Sequence, residues 1–147
     1  MKFAGSVTIK APQEELWNFL ITPELVTRCV PNLKSWGKTA EFDRYVAEII
    51  FRWGDSRVLF DSEIIWFNLA APRQGMMRVN GESGKSEFNA TAEMSLEQVL
   101  TNMTQLNWHV EAQLIGRIAE FPHTFIKTAA LVGINKFFKN VKQTFHR

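Results

Sequence analysis

The side chains able to act as acid, base, nucleophile or metal ligand are few and scattered. They include three histidines, His109, His123 and His146, and one cysteine, Cys29. Acid–base and nucleophilic catalysis need such groups within hydrogen-bond reach of one another. His109 and Glu111 form a lone His-X-Glu on the wet side of a strand, without further residues at metal-ligand spacing. Asp61 and Glu63 share a strand face in the manner of an acid pair, and alternation turns that face to water. Gly81-Glu82-Ser83-Gly84 with Lys85-Ser86 approaches a phosphate loop. It precedes a strand, so the cradle of helix N–H groups is missing. On these grounds no catalytic residue, metal site or cofactor is expected.

Several polar groups keep two readings. Ser62 is the one polar residue on the inward side of its strand. It is either a core hydroxyl bonded to backbone or a hydrogen-bond partner for a ligand head group. His123, beside Pro122, is either a surface histidine or a group at a cavity mouth. Arg28 either caps helix carbonyls or meets a head group at a rim. Cys29 reads as a small buried apolar residue.

The elements that position these residues follow from periodicity. Phe3 to Lys10 alternates as a strand. Pro12 and the acids Glu14 and Glu15 open a short helix, and Thr22-Pro23-Glu24 opens a second. Strands are expected at Leu33–Thr39, Asp43–Trp53, Arg57–Asn68 and Met76–Asn80, with a turn at Gly54-Asp55-Ser56 and a loosened segment from Gly81 to Gly84. Two further strands alternate strictly. Phe88, Ala90, Ala92, Met94 and Leu96 lie on one inward row, and Leu106, Trp108, Val110, Ala112 and Leu114 on the other. Strict period two predicts an antiparallel sheet covered on one side only.

From about Arg117 to Phe145 the period turns helical, with Pro122 marking a kink or the true start. Ile118, Phe121, Phe125, Ala129 and Val132 form one lane. Ile134, Phe138, Val141 and Phe145 form another on roughly the opposite side, with the switch at Gly133. The expected fold class is α+β: a curved antiparallel sheet of about seven strands wrapped round a long C-terminal helix, with two short helices after the first strand. The long helix is the element able to cover the sheet.

Composition bounds the function. One domain spanning 1–147 is expected from 147 residues, of which 46% are hydrophobic and 22% charged. No stretch approaches the roughly 20 apolar residues of a membrane span. Met1 to Ser6 has no apolar signal core, so a cytoplasmic protein is expected. Twelve Phe and five Trp against a single Tyr favour apolar burial, as a filled core or as a cavity lining. No acid follows Glu120, whereas Lys127, Lys136, Lys139, Lys142 and Arg147 do. These cations suit the helix dipole or a surface for a membrane or protein partner. The rings beside them face inward, so nucleic acid is not an expected partner.

The order of elements and several local words resemble the carbon monoxide dehydrogenase G-subunit (CoxG) family, within the START-like helix-grip (SRPBCC) superfamily. The words are Met1-Lys2-Phe3-Ala4-Gly5-Ser6, Ala11-Pro12-Gln13-Glu14-Glu15-Leu16-Trp17, Arg28-Cys29-Val30-Pro31-Asn32, Ala90-Thr91-Ala92-Glu93-Met94, Leu114-Ile115-Gly116-Arg117 and Phe137-Phe138-Lys139-Asn140. The resemblance implies a hydrophobic cavity between sheet and long helix and a lipophilic ligand such as a sterol, lipid, polyketide or quinone. It also implies accessory proteins on the membrane side of a molybdenum-containing dehydrogenase. The family's Gly-rich strand is reduced here to Gly81 and Gly84 with bulky Phe88 nearby, which narrows the expected cavity. Longer relatives carry a C-terminal extension thought to contact the membrane, and this chain stops at Arg147, so anchoring and dehydrogenase recruitment transfer poorly.

The expected function is therefore binding or carriage of a lipid- or quinone-like molecule. Phe51, Phe60, Ser62, Trp66, Met77, Phe88, Trp108, Phe121 and Phe125 are the expected lining. The alternatives are an accessory factor bound to an oxidoreductase complex, or a small cyclase or hydrolase using Ser62 or His123. Peripheral contact with a membrane through the basic terminal helix also stays open, as does the oligomeric state.

Overall fold

A computed structural model describes residues 1–53 and 55–146. Gly54, expected in a turn, and Arg147, expected as a terminal cation, lie outside the described residues, as does the side chain of Trp53. The strands are β1 (Lys2–Ile9), β2 (Leu33–Lys38), β3 (Arg44–Trp53), β4 (Ser56–Ala70), β5 (Gln74–Ser83), β6 (Ser86–Leu100) and β7 (Met103–Gly116). The helices are α1 (Gln13–Ile21), α2 (Pro23–Val26) and α3 (His123–Thr144). The strands form one antiparallel sheet in the order β1-β7-β6-β5-β4-β3-β2. β2 to β7 make a meander, and β1 returns to pair with β7.

The alternation read from sequence sets the two faces. Ala47, Ser62, Gly81, Phe88 and Leu114 lie side by side across five strands. One position along, Tyr45, Ile64, Val79, Ala90 and Ala112 do the same. From β3 to β7 these inward rows hold no charged residue among the described residues. The carboxylates Glu48, Asp61, Glu82 and Glu87 align on the outer face.

β5 runs on to Ser83, past the Asn80 expected from sequence. Gly81 belongs to the strand because the Phe88 ring lies over it. A Cβ there would sit 2.3 Å from Phe88 Cε1 and 2.9 Å from Ser62 Oγ. Gly116 closes β7 at φ +83°, a conformation that L side chains rarely adopt. Its missing Cβ also makes room for the Lys85 carbonyl, which accepts a hydrogen bond from the Arg117 N–H at 3.0 Å.

The terminal helical region departs from the expectation. Arg117–Glu120 is a single 3-10 turn, and Pro122 caps α3 at its true start. Pro122 cannot donate an N–H to a preceding turn, so the chain resets its phase there. Ile118 and Phe121 therefore drop out of the first lane, whose members on α3, Phe125 and Val132, face solvent opposite the inward Ile134, Phe138 and Val141. Ile126 and Val141 are buried, whereas Phe125 and Val132 are 58% and 62% exposed. One continuous face, Ile126, Ala130, Ile134, Phe137 and Val141, turns inward without a switch at Gly133. At 22 residues α3 is about 33 Å long.

Both ends of α3 are held. At its C-terminal end Val141 is fully buried, and Phe145 meets Phe19 of α1 edge-on at 5.1 Å. Phe138 stacks on Trp108 at 5.8 Å, and Asn140 Nδ2 donates to the Cys29 carbonyl at 2.9 Å. Cys29 is buried in this core, in keeping with a small apolar residue. At the other end Ile126 and Ile118 pack on Phe60 and Phe88. Lys38 forms an ion pair with Glu24, tying β2 to α2.

Candidate ligand cleft

Between these two anchors the inner face of the sheet is apolar but not sealed. Trp66, Met77, Val79, Ala90, Ala92 and Ala112 point inward and are half-buried, as are Ala130 and Ile134 of α3 above them. The inner face here is an incompletely covered aliphatic and aromatic wall.

Two polar atoms in this wall are unsatisfied. Ser62 Oγ and Trp66 Nε1 are buried, with no hydrogen-bond partner among the described residues. Ser62 is 5% exposed. Of the two readings of Ser62, a bond to backbone is therefore not the one seen. A buried donor left unpaired costs about 1–3 kcal/mol. Tyr45 is on the same face, opposite Ile64 and flanked diagonally by both. Burial pushes its hydroxyl up to about 12, so it is neutral at ordinary pH.

The residues expected to line a cavity separate into groups. Phe51, Phe60 and Phe88 form an edge-to-face cluster with centroids 5.1–5.8 Å apart. Phe60 is fully buried within it, and Phe121 packs against the same cluster. Ser62 lies beside this cluster at Gly81. Trp66 and Met77 face each other across β4 and β5. Trp108 lies apart, half-buried under Phe138 in the α1 core. Phe125 does not belong to the group: it is on the solvent side of α3, because the helix starts at His123 and Ile126 takes the inward position. Tyr45 is absent from the expected lining, although its place in the inward row of β3 is readable from alternation.

Elsewhere the candidate groups are ordinary surface. His109 pairs with Glu93 at 3.4 Å on the outer face. His123 is exposed, at a groove of about 400 Å³ between Lys2 of the β1 edge and Lys127 of α3. A second groove, of about 560 Å³, crosses the outer face of β2 to β6. Its outward side chains include Glu48, Asp61, Glu63, Glu82 and Glu87, so it is open and acidic and lies on the side of the sheet away from α3. Among the described residues no helix is long and apolar enough to cross a membrane.

Comparison with known proteins agrees with this architecture. The family model of the carbon monoxide dehydrogenase G subunit (CoxG) matches residues 5–146. The chain belongs to that family. Among solved structures, a conserved protein from Geobacillus kaustophilus is 25% identical, with a TM-score of 0.90 over 99% of this chain and 95% of its own. A START superfamily protein from Mycobacterium smegmatis is 12% identical, with a TM-score of 0.75 over 98% and 96%. BexL, a di-domain ARO/CYC from the BE-7585A biosynthetic pathway, matches at 12% identity and a TM-score of 0.65 over all of this chain and 50% of its own. These likenesses place this CoxG member in the START-like fold. No curated protein matches the chain at the sequence level.

Proposed function

We propose that the chain binds a lipophilic small molecule, lipid- or quinone-like, in the cleft between the concave sheet and α3. The observation that carries this reading is the half-buried apolar wall from Trp66 and Met77 to Ala112, left open between two packed anchors. Family membership and the START-like fold support it. A ligand of the folded state raises stability by about 2.7 kcal/mol at a hundredfold excess over its dissociation constant. The neutral dye Nile red is therefore expected to bind with a blue-shifted emission. A quinone or fatty acyl compound should displace it and raise the melting temperature. Unchanged dye emission together with an unchanged melting temperature would count against the cleft as a binding site.

A second reading is an accessory role on a molybdenum hydroxylase. It is favoured by Phe125 and Val132, exposed on the outer side of α3 next to Lys136 and Lys139. Co-elution with purified carbon monoxide dehydrogenase, lost in Phe125→Glu, is the expected result. Separate elution of the two proteins would oppose it.

A further inference from the structure

The polar atoms of the cleft restrict what it can hold. Among the described residues, the inward positions from β3 to β7 carry no charged side chain, and the inward residues of α3 carry none. A carboxylate or ammonium seated there would lose its hydration with no opposite charge to replace it, which is strongly unfavourable. The wall is not purely hydrocarbon either. Ser62 Oγ and Trp66 Nε1 are both buried, and neither has a partner among the described residues. An indole N–H can only donate, and a hydroxyl can donate or accept. What the two groups have in common is a free donor, and each lacks an acceptor.

We infer that the ligand is an uncharged molecule carrying hydrogen-bond-accepting oxygen, of carbonyl or ether type, held by the Ser62 hydroxyl and the Trp66 indole N–H of β4. The inference rests on the cleft reading above and narrows it to a chemical class. Four residues of strand put the two anchors about 13 Å apart at the backbone, so they mark separate points along the cleft. Tyr45, between them on the neighbouring strand, adds a third neutral group on the same face. The Phe88 ring shares the space over Gly81 with Ser62 Oγ and so borders that hydroxyl.

The test uses three probes of matched shape, 2-acetylnaphthalene, 2-ethylnaphthalene and 2-naphthoate, competing with Nile red on the full chain. One hydrogen bond contributes a factor of about five in affinity. The expected order is ketone first, the ethyl compound about fivefold weaker, and the carboxylate weakest at neutral pH. In Ser62→Ala/Trp66→Phe the ketone's advantage over the ethyl compound should vanish while the ethyl compound still binds. Melting curves of the separate Ser62→Ala and Trp66→Phe variants check that the fold persists. Should the double variant keep the preference, or the carboxylate bind best, the assignment of ligand class is wrong while the cleft stands. Should Nile red itself fail to bind, the cleft reading falls and takes this inference with it.

Discussion

Ile9, Leu16, Leu106 and Val141, at the α1 end of the sheet, are each at most 1% exposed. Ile49, Trp66, Met77 and Val79 face the same side of the same sheet along β3 to β5 and are only half-buried. Residue type does not separate the two groups. What differs is the cover. α1, α2 and the last turns of α3 all dock at the first site, where Phe19, Phe145, Phe138 and Trp108 interlock. Along β3 to β5, away from Phe60, the buried apolar cluster is small: Tyr45, Ala47 and Ile64. An inward-facing apolar residue is therefore a core residue at one end of this sheet and, in the proposed function, a cleft wall at the other. The first end holds the fold, which leaves the second free to be open.

Truncation at the packed end should give the largest contrast. Phe145→Ala removes a buried ring that joins α3 to α1, with an expected loss of about 3–5 kcal/mol. Met77→Ala, on the proposed cleft wall, should cost only about 1–2 kcal/mol, because part of its surface is already in contact with solvent. Urea unfolding of both variants reads the difference, and equal losses would mean that the cleft side is as tightly packed as the α1 end.

Tyr45 reports on the cleft side through pH. Its folded pKa is raised to about 12 from an ordinary 10, so the folded protein keeps a proton that the unfolded chain releases. The associated stability is complete below pH 10 and is lost as pH rises toward 12. The shift of two pH units corresponds to about 2–3 kcal/mol. Tyr45→Phe should flatten this fall in the urea midpoint between pH 9 and 11.5. An identical fall in the variant would place the tyrosine in a wetter setting.

The smallest effect is expected at Ser62. Its hydroxyl has no partner among the described residues, so Ser62→Ala should leave stability unchanged or raise it by up to about 1 kcal/mol without ligand. A loss above about 1 kcal/mol would show that the hydroxyl is satisfied in solution.

Much of this architecture is readable in the sequence. Strict alternation in β6 and β7 sets the faces correctly, and Pro12 and Pro23 mark the two short helices to within a residue. The departure at α3 has a physical origin. An unbroken helical period puts Ile118 and Phe121 in phase with Phe125. Arg117–Glu120 instead winds as a tighter 3-10 turn, and Pro122 breaks the hydrogen-bond ladder before α3 begins. Ile126 thereby takes the inward place that the period assigns to Phe125. The division between core and cleft is beyond periodicity, because Trp108 and Trp66 alternate identically and only packing by Phe138 distinguishes them. The unpaired state of Ser62 is equally unreadable, since it depends on Gly81 and Phe88 crowding the hydroxyl from the neighbouring strands.

Native mass spectrometry of the purified chain, followed by solvent extraction, tests the open cleft most directly. An open cleft predicts one neutral apolar molecule per chain, released by organic solvent, with the emptied protein taking up one Nile red. A bare polypeptide mass that takes up no dye would contradict it, and would mean that the side chains of β3 to β7 and α3 close over the space themselves.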